Sequence, residues 1–170
     1  MKDRELNKLL KDGAVLLGLC DKWQDEWDIR STKEELINKY IKGIDFCIKH
    51  DYPSKDFIKD CFPKYLLNSK GIFVDEKNGD SDDFSKAETV VLLGECRAAI
   101  CYSSPCSKSV YIRHKSYADI SVLGGAVAFI EMYDDSHLNL YTDMDSKAFV
   151  YLHGGSVESA GNVVVRDRRK

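Results

Sequence analysis

No stretch of this 170-residue sequence reaches the ~18 consecutive uncharged apolar residues that a bilayer-spanning helix needs. The opening Met-Lys-Asp-Arg-Glu-Leu lacks the apolar core of an export signal, so a soluble, cytoplasmic chain is expected. Basic residues are not in excess. The 25 Lys and Arg against 28 Asp and Glu leave a net charge of −3, which excludes a uniformly basic nucleic-acid-binding surface but not a local patch. Catalytic signatures are missing too: there is no Walker-type phosphate loop, no Gly-x-Gly-x-x-Gly, no nucleophile elbow and no His-Glu-x-x-His. What remains is an apolar fraction of 44%, enough to build the core of one ordinary domain or two small ones.

Residues 1–74 carry helical spacing. Leu6, Leu9 and Leu10 start an amphipathic stretch that Asp12-Gly13 should interrupt, and Leu16, Leu19, Cys20, Trp23 and Trp27 then recur at three- and four-residue steps. Ser31-Thr32-Lys33-Glu34-Glu35 has the form of a capping box, in which a hydroxyl and a Glu three residues on satisfy each other's free backbone N–H groups. Leu36, Ile37, Tyr40, Ile41, Ile44, Cys47 and Ile48 continue it as one apolar stripe, stopping before Pro53. Ser54 can cap a further short helix, and Ile72-Phe73-Val74 has strand character.

Residues 75–86 are expected to be an acidic linker, because Asp75 to Asp83 contains no apolar side chain to offset its ordering entropy. It also lacks the EF-hand order of oxygen ligands closed by a glutamate, so calcium is not expected.

Residues 87–170 change period. Written in rows of ten from Ala87, the fourth column is Val90, Ile100, Val110, Ile120, Ile130, Leu140 and Val150, all aliphatic, and the tenth is Cys96, Cys106, Ser116, Ala126, Ser136, Ser146 and Ser156, all small. Positions two, four and six share one face of an extended strand, and positions eight to ten are rich in turn residues, so each row is one strand and one turn. A repeated small residue at a corner suits a coil in which equivalent positions stack, at about 4.8 Å, better than a meander in which they do not. Alternate rows are the more alike, Val110-Tyr111-Ile112 matching Val150-Tyr151-Leu152, which predicts 20 residues and two strands per coil. The fold expected is α+β, a helical N-terminal region placed to cap a C-terminal β-solenoid.

These rows resemble the short-repeat β-solenoid proteins, among them the bactofilin-like polymers and ten-residue-repeat proteins of bacteria and phages. The resemblance covers about half the chain and implies a structural role, with no catalytic motif carried onto any residue. The hexapeptide period of left-handed β-helix acyltransferases is absent.

Candidate functional residues follow from the repeat. Tyr111, Phe129, Tyr141, Phe149 and Tyr151 fall in columns three and five, opposite the buried face. Aligned there, they would form a contact surface for a protein partner or a second copy, or a face covered by the helices through Trp23 or Trp27. A non-enzymatic scaffold or interaction module is the leading expectation. The first alternative is a ligand site or enzyme at the helix–solenoid junction, using His137 or His153 with Asp134, Asp135 or Asp143. The second is a nucleic-acid-associated regulator contacting phosphate through Lys33, Lys39, Lys42 and Lys49, although Glu34, Glu35 and Asp45 interleave with them. The basic end, Arg166 to Lys170, is expected to blunt a sheet edge. Cysteines 20, 47, 61, 96, 101 and 106 are expected to be reduced and buried. Cys96, Cys101 and Cys106, which with His114 make the most metal-like cluster, are spaced by five, unlike structural zinc pairs, so no metal or cofactor is expected.

Overall fold

A computed structural model describes residues 2–77, 79 and 81–170. The chain divides into two compact units, Met1–Leu66 and Leu67–Lys170. Among the described residues no helix is long and apolar enough to cross a membrane.

The first unit is helical: α1 (Asp3–Leu16), α2 (Asp21–Asp25), α3 (Lys33–Lys42), α4 (Ile44–His50) and α5 (Lys55–Cys61), with α6 (Lys64–Ser69) spanning the division. Both expected caps form. Glu35 N–H donates to Thr32 Oγ1 at 3.3 Å while Thr32 N–H donates to Glu35 Oε2 at 2.7 Å, and Phe57 N–H donates to Ser54 Oγ at 3.3 Å.

Three boundaries differ from expectation. Gly13 does not break α1, because its missing side chain leaves room for the Tyr52 ring, whose hydroxyl donates to Leu10 O at 2.8 Å. The apolar stretch from Ala14 to Trp27 is not one helix: Gly18, at φ 89°, ends α1 before α2 begins. The stripe from Leu36 to Ile48 is likewise divided at Gly43 into α3 and α4. Glycine gives the chain a cheap place to interrupt a helix, and the spacing of apolar residues conceals it.

The second unit is a β-solenoid. It contains β1 (Ile72–Val74), α7 (Ser81–Lys86), β2 (Thr89–Leu93), β3 (Arg97–Tyr102), β4 (Ser107–Ile112), β5 (Tyr117–Val122), β6 (Val127–Met132), β7 (His137–Thr142), β8 (Lys147–Leu152), β9 (Ser156–Ala160) and β10 (Val163–Asp167). The strands form a six-stranded sheet in the order β1-β2-β4-β6-β8-β10 and a four-stranded sheet in the order β3-β5-β7-β9. Every pairing is parallel. From β2 to β8 the register offset is 20 residues, as Val110↔Ile130↔Val150 and Ile100↔Ile120↔Leu140 show, so one coil is two rows.

Fourth-column residues are no more than 3% exposed, and together with Ala98, Ala118, Ala128 and Ala148 they fill the space between the sheets. The small corner residues Cys96, Ser116, Ala126, Ser136 and Ser146 are buried as well. Their hydroxyls do more than fit: Ser116 Oγ accepts from Cys96 N–H at 3.3 Å and donates to Gly94 O at 3.0 Å, and Ser146 Oγ accepts from Gly125 N–H at 3.0 Å. Each bond runs to the coil before. Gly124, at φ 64°, sits where a Cβ would lie 2.6 Å from Ser103 O, so close stacking of two corners requires glycine there.

Part of the stretch expected to be an acidic linker is ordered. Residues 81–86 form α7, which packs against β3 with Phe84 fully buried and its ring 4.4 Å from that of Phe73. Phe84 lies just beyond the acidic run and supplies the apolar surface that the run lacks. Cys101 N–H donates to Ser85 Oγ at 3.3 Å, and Lys108 Nζ donates to Ser85 O, Lys86 O and Ala87 O at 3.3, 3.3 and 2.9 Å. A helix therefore takes the place of a strand beside β3 and covers the first edge of the four-stranded sheet, its C-terminal carbonyls held by a lysine.

Candidate functional site

Inward positions of the coils are filled, which leaves the outward ones to meet other molecules. Because alternate rows belong to opposite sheets, the five expected aromatics do not share one surface: Tyr111, Phe129, Phe149 and Tyr151 lie on the outer face of the six-stranded sheet, and Tyr141 on that of the four-stranded sheet. The expectation of a single five-residue face is corrected by the 20-residue coil.

On the six-stranded sheet, register brings outward side chains into lines across the strands. One line is Ser109, Phe129, Phe149 and Val164, and a second is Tyr111, Glu131, Tyr151 and Arg166. Phe129 and Phe149 stack with centroids 5.3 Å apart and planes at 7°, and Phe129 remains 38% exposed. Beyond the strand ends Arg113, Tyr133 and His153 form a third line. The Tyr133 and His153 rings stack at 4.6 Å and 3°, and the Arg113 guanidinium lies 5.4 Å from the Tyr133 centroid.

The carboxylates of this region are engaged. Glu131 Oε2 lies 2.6 Å from His153 Nε2. Asp134 accepts from Arg113 Nε and Nη2 at 2.9 and 3.1 Å and from His114 N–H at 2.9 Å. Burial works to raise the Asp134 carboxyl, but hydrogen bonds from Arg113 and His114 outweigh it and hold the group below the usual carboxylate range. The cations are less constrained. Lys147 Nζ lies 5.0 Å from the Phe149 centroid, and the Arg166 and Arg168 guanidiniums lie 5.6 and 4.5 Å from that of Tyr151. Among the described residues none of these three pairs with a carboxylate.

The histidine–aspartate pairs expected from sequence are replaced by other partnerships. His153 takes Glu131, one position before the end of β6 rather than in the turn, and Asp134 takes Arg113. Asp143 lies in the opposite row of corners and accepts from Gly124 N–H at 2.8 Å. His137 belongs to the four-stranded sheet, stacked on Tyr117 at 5.1 Å with Nδ1 2.7 Å from Ser156 Oγ. In the helical unit Lys39 and Lys42 lie over Trp27 and Trp23 at 5.8 and 5.4 Å. Both tryptophans line a cleft of about 330 Å³ together with Glu26, Asp28, Ser31, Glu35 and Asn38. Trp27 is fixed there by donating to Oδ1 of the fully buried Asn7 at 2.6 Å.

All six cysteines are free, but only Cys96 is buried; Cys20 and Cys101 are exposed, against the expectation of uniform burial. Cys20 precedes α2 instead of continuing a helical face, and Cys101 lies at an outward position of β3. Burial pushes the Cys47 thiol up to about 12. Among the described residues no group of three His, Cys, Asp or Glu side chains is arranged to hold a metal ion.

Sequence reasoning missed Arg113, Tyr133, His153, Lys147, Arg166 and Arg168 as parts of the surface. The 20-residue coil read from the alternate rows, had it been carried past the strand ends, would have aligned residues 113, 133 and 153. Comparison with protein-family models, curated proteins and solved structures finds no match to this chain.

Proposed function

We propose that the chain is a non-enzymatic scaffold or protein-interaction module, with self-association through the solenoid included in that role, and that the outer face of the six-stranded sheet is its working surface. The observation that carries this reading is the stacked Phe129–Phe149 pair, open to solvent on a sheet whose inward side is shut. Aromatic residues and arginine dominate the energetics of protein interfaces, the rings because they offer large areas with few rotatable bonds and arginine because its planar guanidinium both stacks and donates. A parallel sheet closed into a coil holds them at fixed spacing, so little is lost in ordering them on binding.

The test compares molar mass by light scattering, and photocrosslinking in cells from a benzoylphenylalanine placed at Phe129 or at Asn139 of the opposite sheet. A mass above the monomer that falls in Phe129→Ser, or crosslinked adducts from position 129 but not 139, supports the reading. A monomer with no adduct from position 129 overturns it.

One observation favours a second reading, a small-ligand site: the cleft holding Trp23 and Trp27 is large enough for a metabolite-sized molecule and mixes apolar with polar groups. Quenching of tryptophan fluorescence by a ligand, lost in Trp23→Ala, would establish it.

A further inference from the structure

We propose that the outer face of the six-stranded sheet takes an acidic protein segment, one carrying carboxylates beside apolar or aromatic side chains. This rests on the reading of that face as the working surface.

The first support is charge. Lys147, Arg166 and Arg168 lie across Phe149 and Tyr151 without a carboxylate partner among the described residues, while Glu131 and Asp134 are engaged by His153 and Arg113. The strip along β8 and β10 is therefore positive in a chain whose net charge is −3. Each cationic head already lies over a ring, so it can meet a carboxylate at little further ordering cost.

A second copy fits this face poorly. Isologous pairing about an axis through the β8–β10 strip would set the same three cations against one another, and like charges in opposition are costly. Nucleic acid fits poorly for a different reason. Single-stranded binders offer open ring faces on which bases stack, whereas here Phe129 stacks on Phe149, Tyr133 on His153, and Tyr151 lies under two guanidiniums. One face of each ring in these pairs is already covered. Rings beside cations suit apolar and aromatic side chains flanked by carboxylates.

The experiment uses the full chain and three fluorescein-labelled probes: a random copolymer of glutamate and tyrosine, polyglutamate, and oligothymidylate of matched charge. Fluorescence anisotropy is followed across a salt series. The copolymer should bind more tightly than either other probe, and its affinity should fall as salt rises. The double variant Arg166→Glu/Arg168→Glu should weaken it on the order of tenfold or more. Phe129→Ala should weaken the copolymer and leave polyglutamate unchanged, and Lys33→Glu in the helical unit should change neither. The neutral pair Arg166→Gln/Arg168→Gln replaces the reversed pair if circular dichroism shows that the latter misfolds.

Failure of the copolymer to bind, equal binding by the arginine variants, or tighter binding of oligothymidylate overturns the proposal. Should the copolymer fail while Phe129→Ser still alters mass or crosslinking, the working surface stands and only its acidic partner falls.

Discussion

Arg113 and Asp134 lie on successive coils and are joined by two hydrogen bonds of 2.9 and 3.1 Å, one to each carboxylate oxygen. Asp134 is also in the left-handed region at φ 58°, so a single side chain closes a corner and links it to the preceding one. Its folded pKa lies below the ordinary value near 3.8. A depressed carboxylate contributes stability that is present above the unfolded pKa and disappears as pH falls through the folded one. Asp134→Asn tolerates the same backbone and loses the charge. The variant should melt below wild type at pH 7, and the gap should close as the pH drops below about 4. Thermal melts across that range measure it; a gap that persists in acid would refute the assignment.

Inside and outside positions should respond differently to truncation. Ile130→Ala removes a fully buried side chain between the sheets and should cost about 2–5 kcal/mol. Tyr141→Ser, at a site 52% exposed, should stay within about 0.5 kcal/mol. Urea unfolding of the two variants gives both values.

Corner serines separate into two kinds. Ser116 Oγ both accepts and donates, so Ser116→Ala should cost about 1–2 kcal/mol. Ser136 Oγ is buried without a hydrogen-bond partner among the described residues, and Ser136→Ala should be neutral or slightly stabilising. Equal losses from the two variants would contradict the hydrogen-bond assignments.

Lys108 holds the last carbonyls of α7, where a cation meets the negative end of a helix. Lys108→Met keeps the stem and removes the charge. Amide exchange in residues 82–86 should accelerate about fivefold, corresponding to about 1 kcal/mol, while exchange in β6 stays unchanged.

How far the fold was legible depended on which residues carried redundant signals. The solenoid was visible because two columns, one aliphatic and one small, repeated in the same frame, and both are physical requirements of stacking, one for the interior and one for the corner. Helix ends were visible where polar caps marked them, at Thr32 and Ser54, and hidden at Gly18 and Gly43, where an apolar stripe ran on past the break. The cap α7 was obscured because one buried ring, Phe84, outweighs an acidic run that looks unfoldable by composition. The surface was half legible. Its aromatics followed from the period-two alternation of strands, and their division between sheets was implicit in the 20-residue coil, but Arg166 and Arg168 reach Tyr151 through the β8–β10 pairing, whose offset of 15 departs from the repeat.

The parallel register of 20 residues makes length a quantity that changes in whole steps. Excising one complete coil, residues 117–136, would rejoin a corner to an equivalent corner and leave a shorter rod with every surviving row still seated. Removing ten residues instead would transpose front and back for everything downstream, so that the Tyr141 side replaced the Phe149 side. For this molecule, growth and shrinkage over generations are cheap in even numbers of strands and ruinous in odd ones.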